Sequence, residues 1–187
     1  MPAPARTSTE AVVAAARTLV EQDGLEALTM QAVAAEVGVR APSLYKRVAG
    51  RDALIGLVAD QVAIEMADEL DSVLVGDDPA EDLRLLAAAF RAFARRNPTS
   101  YRLLFDPRPG GVSAAVRGRS VEAVRRVAGR LAGAERELLA ARMFVAWANG
   151  FVAMELAGGF QLGGDVDEAW DFAVDALVRA WERPAAG

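Results

Sequence analysis

The residues from Gly38 to Arg51 include four cations, Arg40, Lys46, Arg47 and Arg51, and no acid. The chain as a whole carries 26 acidic and 21 basic side chains, a net −5, so setting this +4 segment aside leaves −9 on the rest. A local cationic patch on an acidic molecule suits a polyanion. Neutralised phosphates supply most non-specific affinity for duplex DNA, and acidic surfaces elsewhere stay off it. Other chemistries are narrower. The 187 residues contain no cysteine and no histidine, which removes disulfides, thiolate nucleophiles, Ser-His and Cys-His pairs and His-containing zinc sites. Carboxylates remain. Glu155, in an apolar stretch, is a candidate buried base whose carboxyl would be raised by desolvation. Asp77, Asp78, Glu81 and Asp82, and again Asp165, Asp167 and Glu168, form acidic clusters. Acids ahead of a helix satisfy its free N–H groups and its dipole, so both clusters read as caps, and no metal or cofactor is expected.

The elements that must carry these residues read as helices throughout, because apolar positions recur at helical spacing and no run alternates with period two. The fold class expected is all-α, with about nine helices. The first runs from Thr9, capped by Ser8 or Thr9, places Val12, Val13, Ala16, Leu19 and Val20 on one side and stops at Gly24. A short second starts at Thr29 and ends at Gly38. A third has Pro42 in its first turn, where a missing N–H costs little, with Leu44 and Val48 pointing inwards. Longer helices are expected over residues 51–73, from Pro79 to Asn97, and over residues 113–131, 134–158 and 166–181, with a short one at 101–105. Residues 106–111 form a loop. The organisation expected is a helix-turn-helix domain over residues 1–50, with an arm over about 1–8, followed by a helical domain over 51–187. No targeting signal is read at the start, so a cytoplasmic location is expected. Asn149, Glu155 and Gln161 interrupt the one stretch, Met143 to Leu162, that approaches membrane-span length.

Three short helices with a Gly-centred turn describe a helix-turn-helix, whose second element is built to enter a major groove. The run Leu28 to Val48, reading LTMQAVAAEVGVRAPSLYKRV, resembles the DNA-binding signature of the tetracycline-repressor (TetR) family. That resemblance implies a homodimeric transcription regulator, usually a repressor, bound to a palindromic operator in double-stranded DNA and released by a small-molecule effector. Carried over by position, Thr29 contacts phosphate at the start of the second helix and Gln31 lies near the backbone or a base edge. Arg40, Ala41, Pro42 and Ser43 open the recognition helix. Arginine pairs bidentately with guanine, and alanine and proline meet a thymine methyl. Tyr45 places its hydroxyl on phosphate, Lys46 and Arg47 are basic at the far end of that helix, and Arg51 offers a charge to the backbone from the start of the fourth. Arg6 sits on an arm that is either free or enters a minor groove. Val48 stands where the family commonly has an aromatic.

Residues 147–158 resemble a TetR subgroup with a Trp, His, Gly signature in its ligand domain. Gly150 falls at the glycine, Asn149 at the histidine and Val145 at the tryptophan, with Trp147 displaced. Residues 97–105 are similar to that subgroup as well. The family's last two helices pair with their mates in a four-helix bundle. The dimer candidates are therefore Leu138, Val145, Val152, Leu156, Trp170, Val174, Leu177 and Trp181. Met66, Leu86, Phe90, Phe93, Tyr101, Phe105, Met143, Trp147 and Met154 are the candidates for an apolar effector pocket, with Asn149 among its polar groups. Two other readings stand beside this one: a histidine-free helical enzyme working through Glu155, and a helical adaptor whose basic helix binds acidic proteins.

Overall fold

The computed structural model describes residues 8–105 and 111–182. Arg6, most of the expected arm and residues 106–110 of the expected loop lie outside the described residues. Among those described there are nine α-helices and no strand: α1 (Thr9–Asp23), α2 (Met30–Glu36), α3 (Ala41–Leu44), α4 (Arg51–Ser72), α5 (Pro79–Arg96), α6 (Ala114–Arg119), α7 (Glu122–Ala132), α8 (Glu137–Leu156) and α9 (Val166–Glu182). Two 3-10 turns, Leu25–Ala27 and Ser100–Phe105, complete the chain. The number matches the sequence expectation through two offsetting differences. The short helix at 101–105 is a 3-10 turn, and the single helix expected over 113–131 is broken, its second part starting at Val121 with φ −113° and ψ 0°. Periodicity could not see that break, because Ala114–Arg119 and Glu122–Ala132 each keep helical spacing on either side of it.

The chain forms two compact units. One comprises residues 1–65 and 97–117, the other 66–96 and 118–187. In the first, α1 turns Val12, Val13, Ala16 and Val20 inward, against Leu28, Val33, Leu44, Val48, Leu54 and Val58, all buried. Ser8 accepts from the Ala11 N–H at 3.1 Å and Gly24, at φ 84°, ends the helix. In the second unit α5, α7, α8 and α9 pack on one another. Leu83, Leu86, Phe90 and Phe93 of α5, Val124 and Val127 of α7, Phe144 and Val152 of α8 and Trp170, Val174 and Trp181 of α9 form its core. α8 is long and apolar enough to cross a membrane by length and composition. Here it is a bundle helix, buried along Ala140, Ala141, Phe144, Ala148 and Val152.

The acidic cluster before α5 does more than cap. Asp78 caps in the expected way, accepting from the Ala80 N–H at 2.8 Å. Asp82 is fully buried. It accepts from the N–H groups of Val75 (2.9 Å) and Gly76 (3.1 Å) and pairs with Arg130 of α7 at 2.6 Å, while Arg130 donates back to the Gly76 carbonyl at 2.7 Å. Burial alone would raise the Asp82 carboxyl, yet these N–H groups and the guanidinium outweigh it and hold it below the usual aspartate range.

Candidate nucleic-acid interface and the polar centre of the second unit

The turn between α2 and α3 is set by chemistry that only glycine tolerates. α2 opens at Thr29, whose hydroxyl accepts from the Ala32 N–H at 3.1 Å, and closes with the Val39 N–H on the Ala34 carbonyl (2.8 Å) and the Gly38 N–H on the Ala35 carbonyl (3.1 Å). That pair of bonds places Gly38 at φ 72°, the left-handed region that L residues with a side chain adopt only under backbone strain. Arg40 is extended and precedes the first turn of α3, with Pro42 in that turn. Helical bonding then tapers: the N–H groups of Arg47 and Val48 both reach the Leu44 carbonyl, at 2.8 and 2.9 Å.

Burial sorts the segment as a groove-reading element requires. Leu44 and Val48 are buried, and Val48 fills its place in the core without an aromatic ring. Thr29, Gln31, Arg40, Pro42, Ser43, Tyr45, Lys46 and Arg47 are exposed and Ala41 is half-buried. Tyr45 is 55% exposed, so its ring is presented outward and not packed. Among the described residues Arg40 and Lys46 enter no salt bridge, which leaves their charge for a partner.

Arg51, expected to offer its charge to the DNA backbone, is engaged within the chain. Its side chain turns back to the corner before α2, donating from Nε to the Leu28 carbonyl at 2.7 Å and from Nη2 to the Leu25 carbonyl at 2.8 Å, with Glu26 at 3.9 Å. The physical reason is valence. The Leu28 carbonyl and the second lone pair of the Leu25 carbonyl, which already accepts from the Leu28 N–H, can each take a donor, and a guanidinium fork supplies two at once.

A polar clamp within the same unit escaped the sequence reading. Arg17 and Glu21 lie one turn apart on α1. Arg17 pairs with Glu65 of α4 and donates to Asn97 at 2.9 Å. Glu21 accepts from the Ser100 N–H at 2.8 Å and from its hydroxyl, capping the 3-10 turn that follows α5. Asp60 of α4 likewise accepts from the Ser113 N–H at 2.7 Å, just ahead of α6. The only signal for the clamp was the half-buried position of Arg17 and Glu21 beside the apolar stripe.

In the second unit Glu155 is not a free base. Its carboxylate receives Arg91 at 2.9 and 2.6 Å and pairs with Arg95. Arg91 also meets Asp167 at 2.8 Å and lies over the rings of Phe151 and Trp170, 5.5 and 5.1 Å from their centroids. Burial would raise the Glu155 carboxyl, but the hydrogen bonds and charges of Arg91 and Arg95 prevail and hold it below its ordinary value. A group so held is ionised and pinned, the reverse of the raised base that a carboxylate enzyme would need. Asp165 caps α9 as expected, accepting from the Asp167 N–H at 2.7 Å.

These residues border an open groove of about 740 Å³ between α5 and α9, flanked by Arg84, Arg91, Arg95 and Arg96 on one side and Asp167, Asp171 and Asp175 on the other. None of the expected pocket residues lines it. Met66, Leu86, Phe90 and Phe93 are buried in the packing of the second unit, and Tyr101 in that of the first, where Phe105 is 39% exposed. Trp147 is half-buried and stacks on Trp170, ring centroids 4.7 Å apart, and Asn149 is half-buried. Met143 and Met154 are 45% and 50% exposed, on the outer face of α8 and not in a lining. Conversely, Val152, Trp170, Val174 and Trp181, expected at a dimer interface, are buried within the protomer. α8 has two apolar faces, and spacing alone does not tell which one the protomer keeps.

Comparison with known proteins matches this architecture. Residues 6–58 match the family model described as bacterial regulatory proteins, tetR family, and residues 83–177 match the tetracyclin repressor-like C-terminal domain. An uncharacterised HTH-type transcriptional regulator of Mycobacterium tuberculosis, Rv0681, is 28% identical over 159 residues, which cover 83% of this chain and 73% of that one. A solved structure of a protein of unknown function from Rhodococcus sp. RHA1 superposes with a TM-score of 0.79 at 22% identity, covering 94% of this chain and 95% of the other. A TetR variant from Acinetobacter baumannii in complex with minocycline gives 0.71 at 23% identity, covering 94% and 97%. With both halves of the sequence matched and the helix-turn-helix geometry in place, the chain belongs to the TetR family of bacterial HTH transcriptional regulators.

Proposed function

We propose that the protein is a homodimeric repressor that binds a palindromic operator and is released by a small, largely apolar effector, acting in the cytoplasm. The observation that carries the DNA side of this reading is the exposed row Arg40, Pro42, Ser43, Tyr45 and Lys46 around a glycine-set turn, its cations Arg40 and Lys46 unspent. Arg40, Ala41, Pro42 and Ser43 read bases, while Thr29, Gln31, Tyr45, Lys46 and Arg47 hold the backbone. Arg40→Ala then relaxes sequence preference, whereas Lys46→Ala weakens binding about equally on all duplexes and lowers the slope of log affinity against log salt by about one. Fluorescence titration of the full chain onto duplexes at several salt concentrations checks both. Parent-like behaviour of both variants would contradict the docking.

The dimer reading rests on α8 and α9. Of the ten large apolar side chains left exposed among the described residues, seven lie between Leu138 and Phe172, so the uncovered apolar surface of those residues is concentrated there. Along α8 the exposed positions Leu139, Met143, Ala146, Gly150, Ala153 and Ala157 follow alternating steps of four and three, the seam of a helical bundle. On α9 Phe172 is 71% exposed, one turn after the exposed Ala169. The interface therefore moves from the buried stripe to this face, with Leu138 retained from the earlier set. For the effector, the minocycline complex of the Acinetobacter protein supports a small-molecule ligand by likeness. Of the expected lining in the second unit, Leu86, Phe90 and Phe93 lie in the core and Met143 and Met154 go to the dimer seam, which leaves Trp147 as the apolar group offered.

A further inference from the structure

We infer that Arg51 is a positioning residue, a latch that fixes the corner between α1 and α2 and thereby the seat of Thr29 and of the whole helix-turn-helix, instead of a phosphate contact. The inference deepens the DNA-binding reading and rests on it for its consequence at the duplex, though the latch itself stands on geometry in the free protein. Arg51 is the first residue of α4. Its fork closes on the carbonyls of Leu25 and Leu28, at 2.8 and 2.7 Å, which bracket the 3-10 turn immediately ahead of the Thr29 cap. Apart from its packing against α1, the turn has little else to hold it. Leu25, Glu26 and Ala27 contribute no buried side chain, and its internal bonds, Ala27 N–H to the Gly24 carbonyl and Leu28 N–H to the Leu25 carbonyl, are both 3.2 Å long. Leu28, fully buried, anchors one end. Arg51 anchors the other from outside the helix-turn-helix.

A latch of this form needs arginine. Two carbonyls at two heights require the two N–H vectors of one planar group, whereas a lysine ammonium keeps the charge but sits on one point. Charge and latch are therefore separable in a single substitution. A phosphate contact would survive Arg51→Lys and a latch would not.

The test uses the full chain as parent, Arg51→Lys and Arg51→Ala. Amide hydrogen exchange of the free protein is read at Ala27, Leu28, Ala32 and Val33, with the α1 amides as reference, and affinity for a mixed-sequence duplex of about 30 base pairs is read over a salt series. The latch predicts exchange about tenfold faster at those four amides in both variants with α1 unchanged, the equivalent of about 1.4 kcal/mol of local opening. It also predicts weaker duplex binding in both, the lysine variant included, at the parent's salt slope. Parent-like exchange, with a slope lowered by about one in Arg51→Ala and restored in Arg51→Lys, would overturn it in favour of a phosphate contact. Exchange accelerated equally in α1 would overturn it as well, since the residue would then serve overall stability alone. Should the parent fail to bind the duplex, the DNA reading falls while the exchange measurement still decides the latch.

Discussion

Arg91 and Glu155 show how a chain without histidine spends its ionisable groups. Side chains of 8% and 14% exposure are charged inside the second unit because each has a partner, and breaking one such buried pair typically costs about 3 kcal/mol or more. Arg91→Ala is therefore expected to lower unfolding stability by about 3 kcal/mol in urea denaturation, and Glu155→Gln by less, since a neutral amide still accepts from the guanidinium. The acid limb of stability follows from the same contacts. Asp82 and Glu155 have folded-state carboxyls below their unfolded values. Their contribution is therefore complete above the unfolded carboxylate range and is lost as pH falls through the folded values. The parent's Tm should decline as the pH is taken from about 5 towards 3, while Asp82→Ala and Glu155→Gln, less stable near pH 7, converge on the parent in acid. Curves that stay parallel to the parent throughout would contradict the assignment.

At the scale of elements, helix identity and most ends were legible because each end carries its own local chemistry: Ser8 and Thr29 as caps, Gly24 and Gly38 as stops, Asp165 before α9. What local chemistry does not encode was not. The break between α6 and α7 has no proline to announce it, only Gly118 and Ser120 and the passage from Arg119 to Glu122, which also fit one continuous helix, and Asp82 looks like any acid in a first turn until Arg130, 48 residues away, is brought beside it. The face that α8 turns inward was equally hidden, because both faces mix large and small apolar groups: Ala140, Ala141, Phe144, Ala148 and Val152 went inside, and Leu138, Leu139, Met143, Gly150 and Met154 stay outside. The same logic applies to the residues proposed to face DNA. The exposure of Arg40, Ser43, Tyr45 and Lys46 follows from their own types and spacing, whereas the inward turn of Arg51 depends on carbonyls more than twenty residues earlier in the chain. The exposed seam makes a separate prediction. Met143→Glu combined with Phe172→Glu should yield a folded monomer by analytical ultracentrifugation, with helical circular dichroism retained, because neither side chain contributes to the protomer core. A variant that remains dimeric would place the interface elsewhere.

For the whole molecule, the repression and release proposed above would be two sides of one linkage. An effector that weakens operator binding must itself be bound more weakly in the presence of operator, by the same factor. In the proposed dimer, two-fold symmetry would set the geometry of the target: recognition helices from two protomers would occupy successive major grooves, with half-sites about 34–36 Å apart, and the operator would share the protein's symmetry. The monomeric seam variant should consequently lose operator affinity while each helix-turn-helix keeps weak, salt-sensitive binding to any duplex. The most direct test of this account is selection of bound duplexes from a random pool by the purified full chain near physiological salt, followed by sequencing over several rounds. The account predicts enrichment of an inverted repeat with half-sites one helical turn apart, lost when Arg40 is replaced by alanine. A folded dimer that enriches no sequence would contradict it.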